Sequence, residues 1–294
     1  MCSQPSQNQA KVRHFFDADS NTYSYVVSDT VTKACAVIDS VLDFDYASGT
    51  TGFDLANEMV EYIQSEGLTL EWLIETHVHA DHLSAAPYIQ EKLGGKLAIG
   101  EHIITVQETF GKIFNEGTEF ERDGSQFDHL FKDGDTYQVG ELHCQVLHTP
   151  GHTPACTTHL IGDAAFVGDT LFMPDAGTAR ADFPGGDAGT LYDSVNKILA
   201  LSSDTRIFMC HDYGPNGREL KFETTVAEQK ADNIHISHKS RDEFVALREA
   251  RDATLSMPRL ILPSLQVNMR AGHFPPASDN GMVYLKVPIN AFTH

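Results

Sequence analysis

Positive charge is scarce. Across 294 residues, 21 Lys+Arg face 41 Asp+Glu, a formal net charge of −20 and a sequence pI of about 5.0. A surface this acidic repels nucleic-acid phosphates and anionic lipid headgroups, so DNA, RNA and membrane surfaces are poor partners. Long apolar runs are missing too: no stretch of about 18 or more apolar residues occurs, and no transmembrane helix is expected. The opening segment MCSQPSQNQAKVRHFFDADS lacks an apolar h-region, and its two basic residues followed by Asp17 and Asp19 make a poor transit peptide, so the expected location is cytoplasmic. Cysteine is sparse and scattered. Cys2, Cys35, Cys144, Cys156 and Cys210 are odd in number and contain no C-x-x-C pair, which suits free thiols in a reducing compartment. No G-x-G-x-x-G or G-x-x-x-x-G-K-[ST] follows a strand-like run, which removes the main support for a nucleotide-binding Rossmann or P-loop fold.

With 41% hydrophobic and 21% charged residues the chain has the composition of one large globular unit. Residues 1–11 read as a flexible tail and 12–294 as a single domain, with a core over 12–215 and a helical or extended C-terminal extension over 216–294. Strand-like runs over 12–16, 23–27, 34–39, 70–76, 96–99, 137–147, 157–161, 164–167 and 206–210 alternate with helical spacing over 54–65, 84–93, 102–114, 190–201, 220–231 and 241–250. The last residues form a Pro-rich tail. The polar, Gly-containing stretch 115–128 reads as a surface loop or lid.

The densest chemistry is Thr76-His77-Val78-His79-Ala80-Asp81-His82. In an extended segment residues i and i+2 project to the same side, so His77 and His79 face one metal while Asp81 and His82 turn to a neighbouring position. Imidazole and carboxylate together suit zinc, iron or manganese rather than calcium or magnesium. Chance surface histidines are the alternative, but three more strand-like runs end at His152, Asp169 and His211. Strands that deliver such ligands to one edge are what a metal site on loops requires. The other histidines, His148 and His235 among them, lack this spacing and read as surface or satisfied core positions. Cys156 has no evident base partner and reads as a packed thiol.

The ordered set H-x-H-x-D-H at 77–82, His152, Asp169 and His211 resembles the metallo-β-lactamase superfamily over about residues 12–215. The resemblance implies an α/β (α+β) αββα sandwich with metal at one edge of two sheets, but many reactions share that fold. Thr178-Ala179-Arg180-Ala181-Asp182-Phe183, Thr190-Leu191-Tyr192-Asp193-Ser194-Val195, His211-Asp212-Tyr213 and Asn268-Met269-Arg270 are similar, in order, to segments of the persulfide dioxygenase family. Ala179 and Ala181 depart from that family's Gly and Thr, and 115–128 looks like an insertion near the pocket.

The resemblance implies one Fe(II) per chain held by His77, His152 and Asp169, with His79, Asp81, His82 and His211 as an outer shell or, in dizinc relatives, as direct ligands. A 2-His-1-carboxylate triad leaves three positions open, enough for a substrate sulfur and dioxygen. The implied reaction oxidises glutathione persulfide with O2 and water to glutathione and sulfite, the chemistry of sulfide detoxification. Arg180 and Arg270 are then candidate forks for substrate carboxylates, Tyr213 and Asn268 hydrogen-bonding partners, and Lys230 a weaker candidate. An internal salt bridge from Arg180 to Asp182 or Asp175 competes with that role. The rival enzyme is a dizinc thioester hydrolase of the glyoxalase II kind, and the non-enzymatic rival a metal-binding scaffold whose His152→Ala variant leaves sulfide tolerance unchanged. Family likeness makes a homodimer plausible.

Overall fold

The computed structural model describes residues 9–292. β1 (Lys11–Asp17), β2 (Thr22–Ser28) and β3 (Ala34–Ile38) pair antiparallel in succession. β4 (Val41–Asp45) and β5 (Thr50–Gly52) make a small hairpin before α1 (Asp54–Ser65), and β6 (Thr69–Ile74) returns parallel to β3. β7 (Leu83–Ser84) joins β4, and α2 (Ala86–Leu93), β8 (Lys96–Gly100), α3 (Ile103–Ile113) and β9 (His129–Phe131) follow. The first large sheet has the order β1-β2-β3-β6-β8-β9.

The second sheet contains β10 (Thr136–Val139), β11 (Leu142–His148), β12 (Thr157–Ile161), β13 (Ala164–Phe166), β14 (Arg206–Phe208) and β15 (Glu223–Thr225), in that order. α4 (Ala188–Leu199) is the crossover between the parallel strands β13 and β14. α5 (Val226–Asp232), α6 (Arg241–Asp252) and α7 (Ile261–Asn268) complete the chain.

Strand periodicity explains the layering. In β2 every residue is buried, with Tyr23, Tyr25 and Val27 on one face and Val26 on the other. A strand buried on both faces needs apolar residues at both phases of its two-residue repeat. Tyr25, Ala36, Ile38 and Ile74 of the first sheet meet Val146, Ile161, Phe166 and Phe208 of the second, forming the core between the sheets. The outer face of the first sheet packs on α1, α2, α3 and α7, and that of the second on α4, α5 and α6. The result is the expected αββα sandwich.

Several local expectations change. Residues 1–8 lie outside the described residues, so the tail is not described over most of its length. Its last residues are structural: Lys11 opens β1, and Ala10 is buried, with hydrogen bonds to Asp163 and Arg206. The run 137–147 is a hairpin, turned at Gly140 (φ +59°), where a Cβ would strike the Thr32 hydroxyl. The helix expected over 220–231 is β15 followed by α5, because Thr225 and Glu228 form a capping box that starts the helix there. The Pro-rich tail contains α7, whose Leu265 and Val267 are buried in the core of the first helical layer. Phe120 and Phe127 enter that same core, so 115–128 is a packed wedge. Cys35, Cys144, Cys156 and Cys210 are free and buried, in keeping with the thiol reading; Cys2 lies outside the described residues.

Candidate metal centre

The first histidines sit just beyond β6, on a loop with almost no freedom. Asp39, at the end of β3, accepts from Thr76 N and Oγ1 at 2.7 and 2.8 Å and from His79 Nε2 at 3.0 Å. Asn268, at the end of α7, holds the loop from the other side. Its Nδ2 donates to the carbonyls of His79 and His82 at 2.9 and 2.8 Å, and its Oδ1 accepts from Ser84 N at 2.9 Å.

The remaining ligands arrive on loops that only glycine permits. Gly151 (φ +130°) lies against the backbone of Leu191, where a Cβ would come within 2.3 Å of its nitrogen, and places His152. Gly168 (φ +51°) packs on Thr76 and places Asp169. His211 follows β14 and is tied to the first sheet by a bridge to Thr22.

Each imidazole has one nitrogen committed to a hydrogen bond within the protein. His152 Nδ1 donates to the Arg180 carbonyl at 2.8 Å, His82 Nδ1 to that of Leu83 at 3.1 Å, and His211 Nδ1 to that of Asn21 at 3.1 Å. Thr76 spends its hydroxyl proton on Asp39, so His77 Nδ1 donates to Thr76 at 3.0 Å. His77, His82 and His152 therefore present Nε2 lone pairs, whereas His211 Nε2 faces the Asp169 and Asp81 carboxylates, which raise its pKa against the opposing effect of burial. His79 is reversed: Asp39 holds Nε2 and Nδ1 is free. Second-side hydrogen bonds of this kind fix tautomer and ring orientation in metal sites.

Asp169 divides the ligands into two groups. Its Oδ2 lies 3.8 Å from His77 Nε2 and 3.6 Å from His152 Nε2, while its Oδ1 lies 3.2 Å from His211 Nε2. His211 also faces Asp81 Oδ2 at 3.3 Å. His77, His152 and Asp169 form one compact ligand set, and His79, Asp81 and His82 another.

Unpartnered atoms test the fit of a metal. His77 Nε2, His79 Nδ1, Asp81 Oδ2, His82 Nε2 and Asp169 Oδ1 are buried without hydrogen-bond partners. Each orphan of this kind costs about 1–3 kcal/mol, so five at one sheet edge are tolerable when a cation satisfies them together. Burial, with His79 next, holds His77 well below the ordinary histidine range, and the same causes push His82 down to about 4. Both are neutral lone-pair donors. Burial opposes a charge on His79, but Asp39 outweighs it and raises its pKa.

The centre opens into a cavity of about 680 Å3, within the usual range for small-molecule sites. Asp81, His152, Asp169 and His211 line its floor, and Phe172, Phe183 and Tyr213 its walls. No residue of 115–128 reaches it, so that segment is not a lid over the pocket.

The expected substrate residues scatter. Arg180 and Tyr213 line the cavity, but Arg180 forks Asp182 at 2.6 and 2.8 Å, and its Nη1 donates to the Ser256 carbonyl. Asn268 lies behind the histidine loop, all its hydrogen-bonding groups used. Arg270 points away from the cavity: it pairs with Glu116 at 2.6 Å, its guanidinium over Phe120. Neither Asn268 nor Arg270 is therefore placed to fork a substrate carboxylate. Lys230 is exposed on α5, off the cavity. Cys156 is buried against Thr153 with its thiol pushed up to about 12 by burial, an inert packed group.

Other lining residues had no sequence signal. His235, read from sequence as a surface or core position, lines the cavity and accepts from Thr178 N through Nδ1; burial and then Arg248 push it down to about 4. Arg248, Arg251 and Arg259 also line the cavity. Asp39 was visible only as a strand end, with no spacing to link it to position 79.

Two facing sheets with a His/Asp metal-binding cluster at one edge define a metal-dependent enzyme class. The family model described as "Metallo-beta-lactamase superfamily" matches residues 18–211, and the chain belongs to that superfamily. It is 53% identical to a probable metallo-hydrolase of Burkholderia pseudomallei, over 95% of this chain and 99% of that one. It is 48% identical to "Glyoxylase B2" of Dictyostelium discoideum (96% and 98% covered) and 30% identical to the mitochondrial persulfide dioxygenase ETHE1 of Bos taurus (91% of each). Among solved structures, ETHE1 from Myxococcus xanthus superposes with a TM-score of 0.72 at 30% identity, covering 90% of this chain and all of that one. Among the described residues no helix is long and apolar enough to cross a membrane.

Proposed function

We propose that this enzyme is a persulfide dioxygenase acting on glutathione persulfide with one Fe(II) per chain. The observation that carries the reading is the His77–His152–Asp169 set, two fixed Nε2 lone pairs and one carboxylate, of which His152 and Asp169 line a substrate-sized cavity. That donor set suits iron with open positions, and likeness to persulfide dioxygenases runs along nine-tenths of the chain. When bound, iron supplies the one-electron chemistry dioxygen requires.

The protein's own groups position the reactants. Phe172, Phe183 and Tyr213 line the cavity with the ligands and offer apolar contact to a substrate held there. Overall R–S–SH, O2 and H2O give R–SH and H2SO3: the S–S bond breaks, the outer sulfur is oxidised and dioxygen is reduced. Asp81 lines the cavity beside His211, its Oδ2 3.3 Å from His211 Nε2.

A second reading is favoured by the division of Asp169. One oxygen toward His77 and His152 and the other toward His211 suits a carboxylate bridging two metals, as in a dizinc thioester hydrolase, and the relatives named metallo-hydrolase and glyoxylase agree with it. Metal analysis of anaerobically purified protein, followed by an oxygen-electrode assay with glutathione persulfide, separates the two. About one iron per chain with oxygen uptake supports the dioxygenase. Two zincs, thioester hydrolysis and no oxygen uptake overturn it.

A further inference from the structure

An anionic substrate must be held by a protein of net charge −20, and the two arginines expected to do so are spent on Asp182 and Glu116. Four arginines line the cavity: Arg180, Arg248, Arg251 and Arg259. Arg248 is buried and neutralised by Asp252, with Nε and Nη2 at 2.9 and 2.7 Å, and its Nη1 donates to the Thr178 carbonyl. The remaining two are different. Arg251, at the end of α6, bonds the Thr254 hydroxyl and makes no ion pair with a described residue. Arg259, on the segment leading to α7, makes neither a side-chain hydrogen bond nor an ion pair with one. Both are exposed, which places them at the cavity's rim.

No acidic neighbour among the described residues forms an ion pair with them, although Asp45 lies near enough to Arg259 to interact with it electrostatically. Asp175 on the lining is forked by Arg218, and Asp81 and Asp169 belong to the metal centre, which leaves Asp19 as the remaining lining carboxylate. The neutral His235 ring adds no charge to that wall.

We propose that Arg251 and Arg259 are the docking point for carboxylates on the non-reacting end of the substrate, so that the enzyme selects thiol derivatives bearing carboxylates over uncharged ones with the same reactive sulfur. The proposal rests on the reading that a thiol derivative enters sulfur-first toward the metal. Both residues lie beyond residue 211, where the family match ends, so this specificity belongs to the C-terminal segment and not to the shared catalytic fold. Exposed guanidinium groups without an ion pair at the cavity mouth are suited to carboxylate forks, and a divalent metal at the far end would add attraction for an anion.

Calorimetry on the metal-loaded protein tests this with glutathione and cysteamine as probes, since both carry a thiol and only glutathione carries carboxylates. Wild type is expected to bind glutathione more tightly. R251Q and R259Q should each weaken glutathione about tenfold and the double variant about a hundredfold, with cysteamine binding and melting temperature unchanged. R259K should keep part of the affinity. A wild type without preference for glutathione, a double variant that binds it as tightly as wild type, or equal weakening of both probes would each overturn the docking point. Selective glutathione binding without oxygen uptake on its persulfide would sink the dioxygenase reading and leave the docking point standing.

Discussion

At the metal centre every histidine is buried, and its second side is locked by a carbonyl, a hydroxyl or Asp39; at the rim, Arg251 and Arg259 are exposed and nearly unpartnered. The contrast follows from what each end must do. Metal chemistry requires ligands fixed within fractions of an ångström, so the fold surrounds them with hydrogen bonds and glycine-only turns. A carboxylate can be met by a long flexible side chain in water, and a partner inside the protein would only compete with it. Rigid floor and loose rim thus divide reaction from recognition.

The largest expected effects lie at the floor. H152A should lose metal, and oxygen uptake should fall more than about 100-fold, beyond the range of outer-shell partners. Because the metal binds the folded chain, chelation should also lower stability, by about 3 kcal/mol if free metal had stood at a hundred times its dissociation constant. Metal content by plasma emission and melting with and without chelator check both. A metal-loaded, fully active H152A would erase the distinction between the two ends.

Next in size is the support behind the floor. N268A removes three hydrogen bonds that pin His79, His82 and Ser84. A 10- to 100-fold loss of metal affinity is expected, with a stability loss of about 2–3 kcal/mol. Titration with Fe(II) under argon measures the first. If Asn268 instead touched substrate, KM would rise with metal affinity intact.

How much of this was legible follows from the same contrast. Ligands His77, His152, Asp169 and His211 sit where strands end, and strand ends are visible in alternation and turn residues, so the metal edge could be read directly, while the αββα layering came from the resemblance that the ordered ligands carry. Asp39 could not, because its tie to His79 spans 40 residues and exists only after β3 and β6 pair. The substrate residues failed for a related reason. An arginine's role depends on which carboxylate reaches it first, and Glu116 lies 154 residues from Arg270 in sequence. For Arg180 the competing salt bridge to Asp182, two residues away, was foreseeable and is the one formed. The capping box at Thr225 was in the sequence too, but the apolar residues upstream of it mimicked one longer helix.

Arg270 offers a smaller test. Its partner Glu116 is almost fully buried and has a second cation, Lys286, at 3.3 Å. R270Q should therefore cost about 2 kcal/mol, less than the full loss of a buried pair, with KM for glutathione persulfide unchanged. Denaturant melts and steady-state kinetics give the two numbers. A KM effect without destabilisation would return Arg270 to the substrate and move the docking point away from the rim.

The smallest effect belongs to Lys230. It is exposed on α5, its side chain has no ion pair among the described residues, and it does not reach the cavity. K230Q changes the net charge by the same one unit as R259Q. If the overall field of an acidic protein governed substrate capture, the two variants would weaken glutathione binding alike; if a local pair of arginines governs it, only R259Q acts. We expect K230Q to stay within about 0.5 kcal/mol of wild type in stability and to leave glutathione affinity unchanged. Equal losses in both variants, measured at one ionic strength, would assign capture to long-range charge and leave the rim without a specific role.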